Sequence, residues 1–425
     1  MIKKKKIHVF SFVFICFFLF SIYNIIPSLN FLLFGKPIFL TYGTEKYYVD
    51  PNYIYLAKYM CYSTVGTIFF GLFSKKPKSS IIGFDISFKL SFLLFITGIL
   101  ILAIQFYLTG AYQFISVNHG LIREKLFSQP PFYSYFIIIG SYFSAKRISQ
   151  KKVAKLYWVV FAIMFFSYVF FWVKIGIRGT GLYTLFIGCI GFFRLNQVKV
   201  NTKFFKKKYI FYLLIILVGV TYMSLRTRVY DKTTGKLKEN PTFGDVVELL
   251  KKRPDFLNPG TLEYGASYKN FAIMTHNNFQ QDYPFQIYLQ SLSYLGKPIL
   301  KYIIDYDQSI FYRYRDEFFK ERKKKMGSSG GTGFSLQYEF AMQGAVIMCF
   351  LYLFFVVFIN KVSSLSSNKG GHWEFYLILI FPTLITLSRS SLPVNYFVTK
   401  LAYSYFFYIV FRLIGVKNNY EKLYK

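Results

Sequence analysis

Arg178, Arg226, Arg228 and Arg389 are the residues whose type and placement point most directly to chemistry. Each falls at the end of a long apolar run. A guanidinium pairs bidentately with phosphate and stays charged at any working pH, so several at one depth suit a phosphate or a diphosphate. Arg178 stands in Gly176-Ile177-Arg178-Gly179-Thr180-Gly181, where glycines at the head of a helix expose backbone N–H groups to an anion. No strand precedes it, and the glycine spacing is not that of a P-loop or a dinucleotide fingerprint. Arg226 and Arg228 are two apart and splay across a helix end, which suits wrapping a diphosphate.

Proton transfer has two candidates. His276, in Thr275-His276-Asn277-Asn278, is the histidine placed to act as a general base near neutral pH. His8 and His372 fall on the opposite side of the membrane, and His119 is in a short connection. Glu339 follows a glycine-rich stretch, Gly330-Gly331-Thr332-Gly333, and is four residues from Gln343, hence on one helix face with it. Its carboxylate could take a proton from a hydroxyl or hold an arginine in place. Asp305-Tyr306-Asp307 matches a metal-holding carboxylate pair over three residues only. Cys16, Cys61, Cys189 and Cys349 each lie in an apolar run without paired spacing, so no metal, disulfide or cofactor is expected.

The elements that must position these residues are membrane helices. Of 425 residues, 54% are apolar, 22% aromatic and 17% charged, which overrides the two or three soluble domains that length alone suggests. About 20 apolar residues cross the hydrocarbon core as a helix. The hydropathy pattern predicts ten spans: 7–26, 53–73, 87–109, 132–145, 156–173, 177–195, 209–226, 336–360, 375–392 and 396–415. The fourth and the last two are the weakest. Residues 1–226 would then hold seven helices, 227–335 a large loop, and 336–425 three more. The fold class expected is an all-α polytopic membrane protein.

The net charge of +33 would suggest nucleic acid in a soluble chain, but its distribution says otherwise. Twenty-five cations gather in alternate connections, Lys3 to Lys6, Lys75 to Lys89, Lys146 to Lys155, Arg194 to Lys208, Lys361 with Lys369, and Arg412 onward. That alternation predicts both termini in the cytoplasm. Lys3 to Lys6 before an apolar stretch imitates a signal peptide, but the stretch is too long and has no cleavage site, so it reads as a first span. From Arg226 to Ser335 the large loop carries 18 basic and 12 acidic residues with aromatics throughout, enough to fold as a small cap. Lys58, Lys174, Arg178, Arg226, Arg228, Glu339 and Arg389 all fall near the outer ends of spans, the placement in which intramembrane charge marks function.

With ten spans, one large loop before the eighth, Ile177-Arg178-Gly179 at the sixth and Gly333-Phe334-Ser335-Leu336-Gln337-Tyr338-Glu339 at the eighth, the chain resembles the Wzy-type O-antigen and capsular polysaccharide polymerases. Arg322 followed by Gly333 also matches a spacing described in that family. The resemblance implies a GT-C-like membrane glycosyltransferase in the bacterial cytoplasmic membrane, joining undecaprenyl-diphosphate-linked oligosaccharides at the outer face. It also implies a flippase and a chain-length regulator as partners, and neither nucleotide sugar nor metal. Membrane lipids are its surroundings, and nucleic acid is not a partner. Two alternatives share the observations: an O-antigen ligase on the same scaffold, and a flippase for the lipid-linked unit. A flippase should show internal repeats and charge through the full membrane depth, whereas here no repeat is visible and the charges stop at the outer ends.

Overall fold

The computed structural model describes residues 86–115, 132–150, 153–175, 178–192, 241–252, 343–368, 371–386 and 394–416, together with single positions between 57 and 69, at 122, 125 and 126, and at 222, 225, 229, 238 and 340. Among these residues every regular element is helical. The longest are α1 (Phe88–Leu108), α2 (Phe132–Ser149), α3 (Lys155–Lys174), α4 (Arg178–Phe192), α5 (Phe243–Lys252), α6 (Ala345–Asn368), α7 (His372–Thr386) and α8 (Val394–Leu413). The expected span 7–26 lies outside the described residues, and of 209–226 only Tyr222 and Leu225 are described.

Residue chemistry sets the helix ends. Ser87 caps α1, its Oγ accepting from the N–H of Leu90 at 3.2 Å. Beyond Thr109 the chain turns left-handed at Gly110, φ 66°, and continues as one 3₁₀ turn, Ala111–Phe114. Pro382 sits inside α7 and leaves the helix running to Thr386. The start of α6 departs from expectation: the helix begins at Ala345, not at 336, because Gly344 has φ 93° and breaks the turn that Gln343 closes on Phe340. Gln343 therefore does not share a continuous helix with α6. Glu339, expected in the first turn of that span, lies outside the described residues and ahead of the helix.

The bundle is organised around α2. Its residues from Ile137 to Ala145 are all buried, so no side of it is left for lipid. Gly140 lies against the backbone of α1: a Cβ there would come within 2.5 Å of the Phe95 nitrogen. On another side Gly191 of α4 meets the Tyr142 carbonyl. Ser144 Oγ donates to Ser91 Oγ at 3.0 Å across the α1–α2 contact. Small and hydroxyl residues at membrane helix interfaces let backbones approach and hydrogen-bond. The same residues lower the apolarity of the segment and made it the weak fourth span.

Contacts fix the helix directions. Ser91 meets Ser144 and Gly98 meets Tyr133, so α1 and α2 run antiparallel. Gly181 packs on Val169 and Trp172, and Gly188 on Phe165, so α3 and α4 do too. Phe375 stacks on Phe411 at 5.4 Å, pairing the start of α7 with the end of α8. One end of the bundle thus holds Lys89, Lys146, Arg147, Lys155 and Arg412, and the other holds Lys174 and Arg178.

The exterior is apolar. Leu93, Leu100 and Ile104 of α1, Ile163, Phe166 and Phe170 of α3, Phe350 and Phe354 of α6, and Phe406 and Ile409 of α8 are all exposed. Among the described residues three helices are long and apolar enough to cross a membrane: Phe88–Leu108 with 21 residues, Lys155–Lys174 with 20 and Ala345–Ser366 with 22. Exposed apolar surface on this scale is what a membrane-inserted bundle presents to lipid.

Candidate functional site

Arg178 is the first residue of α4, with α3 ending at Lys174, so these two basic residues bracket a short turn at one end of the bundle as expected. Gly181, in the same glycine-rich segment, has a packing reason for its size. A Cβ there would come within 2.8 Å of the Val169 carbonyl and 3.2 Å of Trp172 Cβ. Its absence of side chain serves the α3–α4 contact, one turn below any anion at the helix start.

Arg226, Arg228, His276 and Arg389 lie outside the described residues, as does Glu339. The chain beside the first two is described. Leu225 and Val229 are buried against Val246 of α5, with Tyr222, Leu249 and Leu250 packed around them. Leu225 and Val229 are thereby docked on a helix of the large loop. That helix is locally well specified. Thr242 Oγ1 accepts from the N–H of Asp245 at 3.3 Å, while Asp245 Oδ2 accepts from the N–H of Thr242 at 2.7 Å, a reciprocal capping box. Lys238 Nζ bonds both oxygens of Asp245 at 2.9 Å, and these contacts, Lys238 first and Thr242 next, hold its carboxyl at about 2 against an ordinary 3.8. Lys238 N–H also closes onto the Val229 carbonyl at 2.8 Å, tying the cap back to the arginine segment.

Two buried charged sites went unread in the sequence. The first is Glu374, at the start of α7. Its Oε1 accepts from Lys146 Nζ at 2.6 Å and from Tyr142 Oη at 3.1 Å, and Lys146 also lies over the Tyr142 and Phe143 rings. This site is at the end of the bundle away from Arg178. The expectation that charge stops at the Arg178 end is therefore corrected: a satisfied ion pair is buried at the other end. Lys146 read as a loop cation because hydropathy closed its span at 145.

The second is Lys400. On α8 the residues buried are Phe397, Lys400, Ser404, Phe407 and Phe411, a single inward stripe at spacings of three and four. Lys400 interrupts that stripe six residues from the start of α8, about 9 Å along the axis at 1.5 Å per residue. It is 8% exposed. Its Nζ is 5.8 Å from the centroid of the Tyr135 ring, and Tyr135 packs on Tyr403 at 4.6 Å. Among the described residues no carboxylate pairs with it. A lysine inside a membrane helix costs about 3 kcal/mol or more, and a desolvated cation–π contact returns about 2 kcal/mol. The stripe was legible in Phe397-x-x-Lys400-x-x-x-Ser404-x-x-Phe407, but in a chain with 52 basic residues one lysine did not stand out.

Among the described residues no three His, Cys, Asp or Glu side chains gather as metal ligands would. Compared with known proteins, the chain matches no family model, no curated protein and no solved structure.

Proposed function

We propose that this chain is a membrane glycosyltransferase of the polysaccharide-polymerase type, with about ten spans in a GT-C-like arrangement and its large loop on the outer face of a bacterial cytoplasmic membrane. It joins undecaprenyl-diphosphate-linked oligosaccharides. The observation that carries the proposal is that basic residues also stand at the end of the apolar-sided bundle opposite Lys89, Lys146, Arg147, Lys155 and Arg412: Lys174 and Arg178 flank the α3–α4 connection, and Lys400 is buried below the start of α8.

In the reaction, a hydroxyl oxygen of the acceptor unit bonds to the anomeric carbon of the donor's reducing-end sugar. The bond from that carbon to the diphosphate oxygen breaks, and the lipid diphosphate leaves with the electron pair. His276 takes the hydroxyl proton, with Glu339 as the second candidate. Arg178, Arg226, Arg228 and Arg389 meet the charge that grows on the leaving group, where fixed cations lower the barrier most. Leu225 and Val229, which flank Arg226 and Arg228 in sequence, pack on α5, and this supports a role for the cap beside those two arginines.

The test is elongation of a lipid-diphosphate oligosaccharide by the purified protein in detergent, with Arg178→Ala and Arg226→Ala beside it. The wild type should build long polymer, and each variant should leave single repeat units on the lipid while still accumulating in membranes. Full-length chains from both variants would remove the diphosphate clamp. Polymer that is never lengthened but is transferred whole to another acceptor would assign the scaffold to a ligase.

A further inference from the structure

We propose that Lys400 is a binding residue for the lipid-borne diphosphate, reached between α2 and α8 from the end of the bundle where Arg178 begins α4. The inference rests on the polymerase reading above and adds to it a residue within the membrane.

Three features of the bundle place it there. Lys400 is on the buried stripe of α8, among Phe397, Ser404 and Phe407, so its ammonium is aimed into protein and not along a lipid-facing side. The neighbouring positions Val398 and Thr399 are exposed, which shows that the helix could have carried a cation outward at no packing cost. Its described neighbour is the face of Tyr135, with Tyr403 closing beside that ring and Phe132 edge-on to Tyr403 at 6.0 Å. Aromatic walls around an ammonium exclude water and leave its three donors available to oxygen.

The neighbouring helix supports the same occupant. Arg178 starts α4 at this end. A diphosphate has two charged centres on a flexible axis, and its lipid tail must remain in the bilayer. A cation about 9 Å below the start of α8 matches an anion drawn down from the headgroup level. A free phosphate has no tail to hold it at that depth.

The test uses the full-length protein in a nonionic detergent, with native mass spectrometry titrations of undecaprenyl diphosphate, phosphatidylglycerol and inorganic pyrophosphate. Wild type, Lys400→Arg and Lys400→Met are compared, each with its melting temperature. The expected result is that wild type and Lys400→Arg bind the prenyl diphosphate in preference to both other probes. Lys400→Met should bind it at least tenfold more weakly while melting at or above the wild-type temperature, since it removes a buried charge. If wild type binds the prenyl diphosphate and Lys400→Met binds it equally well, Lys400 is not in the site and the polymerase reading stands. The assignment is also overturned if Lys400→Met simply melts lower and loses all three probes alike, the mark of a structural lysine. If the wild type shows no preference for the prenyl diphosphate over phosphatidylglycerol, both the assignment and the reading beneath it fall.

Discussion

Lys146 Nζ lies 2.6 Å from Glu374 Oε1, joining the last turn of α2 to the first turn of α7 across 228 positions of sequence. The carboxylate side chain is 7% exposed and the lysine 16%. Tyr142 donates to the same oxygen from one turn earlier on α2. Two helices from opposite ends of the chain are thus keyed together by one acceptor atom.

Removing one partner of a buried pair strands the other, at a cost of about 3 kcal/mol or more, whereas replacing both with apolar groups is often neutral. Lys146→Met should therefore lower the melting temperature of the detergent-solubilised protein clearly, and Lys146→Met with Glu374→Leu should recover most of the loss. Tyr142→Phe should cost about 1.5–3 kcal/mol, as one hydrogen bond to a charged group is lost while packing is kept. Additive losses in the double variant would show that the two side chains do not act as a pair.

Gly140 tests whether α2 is the central helix. A Cβ at this position meets the α1 backbone at Phe95 and Ser91, which cannot swing aside as a side chain could. Gly140→Leu should destabilise by at least 1–3 kcal/mol, the usual range for overpacking, and reduce the amount of folded protein recovered from membranes. Gly244→Ala, where the nearest atom is 3.7 Å away, is the control and should leave the melting temperature unchanged or slightly raised. Equal effects at the two sites would contradict the packing described.

The capping box of α5 gives a pH prediction. Asp245 titrates at about 2 in the folded chain, below its ordinary 3.8, through Lys238 and Thr242. A carboxyl with a lowered folded value stabilises fully above its unfolded value, and that contribution fades as pH falls through the folded one. The docking of α5 should then be constant above about pH 4 and weaken between about pH 4 and pH 2. Proteolysis of the 227–335 loop, by an acid-active protease below about pH 4 and by a neutral protease near pH 7, would read this directly. Asp245→Asn should be cut faster at neutral pH and lose the change in that window, and an unchanged cutting rate at neutral pH would count against the cap.

At Gly344 the left-handed φ of 93° is open to glycine and costly for any residue with a Cβ. Gly344→Ala should lower stability by about 1–2 kcal/mol. A gain in stability would mean that α6 can extend backward as one helix, which is the arrangement the apolar run from 336 suggests.

How much of this was readable follows from which physical signal each element carries. The segments of α1, α3 and α6 announce themselves because long apolar runs are needed wherever a helix faces lipid on one side. Those of α2, α7 and α8 are fainter for the opposite reason: α2 and the inner stripe of α8 face protein, where Gly140, Ser141, Ser144 and Ser404 are more useful than leucine. The boundary at Gly344 was missed because hydropathy does not register a dihedral angle. Arg178 was found because it terminates an apolar run. Glu374 and Lys400 were missed because recognising a buried charge requires knowing what packs on it, and their partners are 228 and 265 positions away in sequence.

The chain has three tryptophans, and two of them stand in sharply different surroundings on one helix. Trp158 is 43% exposed near the start of α3, while Trp172, fourteen residues on, is fully enclosed by Phe106, Phe171 and Tyr168. In a Trp373→Phe background, bilayers of brominated lipid should therefore quench the emission of one indole and spare the other, so that α3 carries an optical depth gauge whose two marks are about 21 Å apart, roughly two thirds of a membrane crossing.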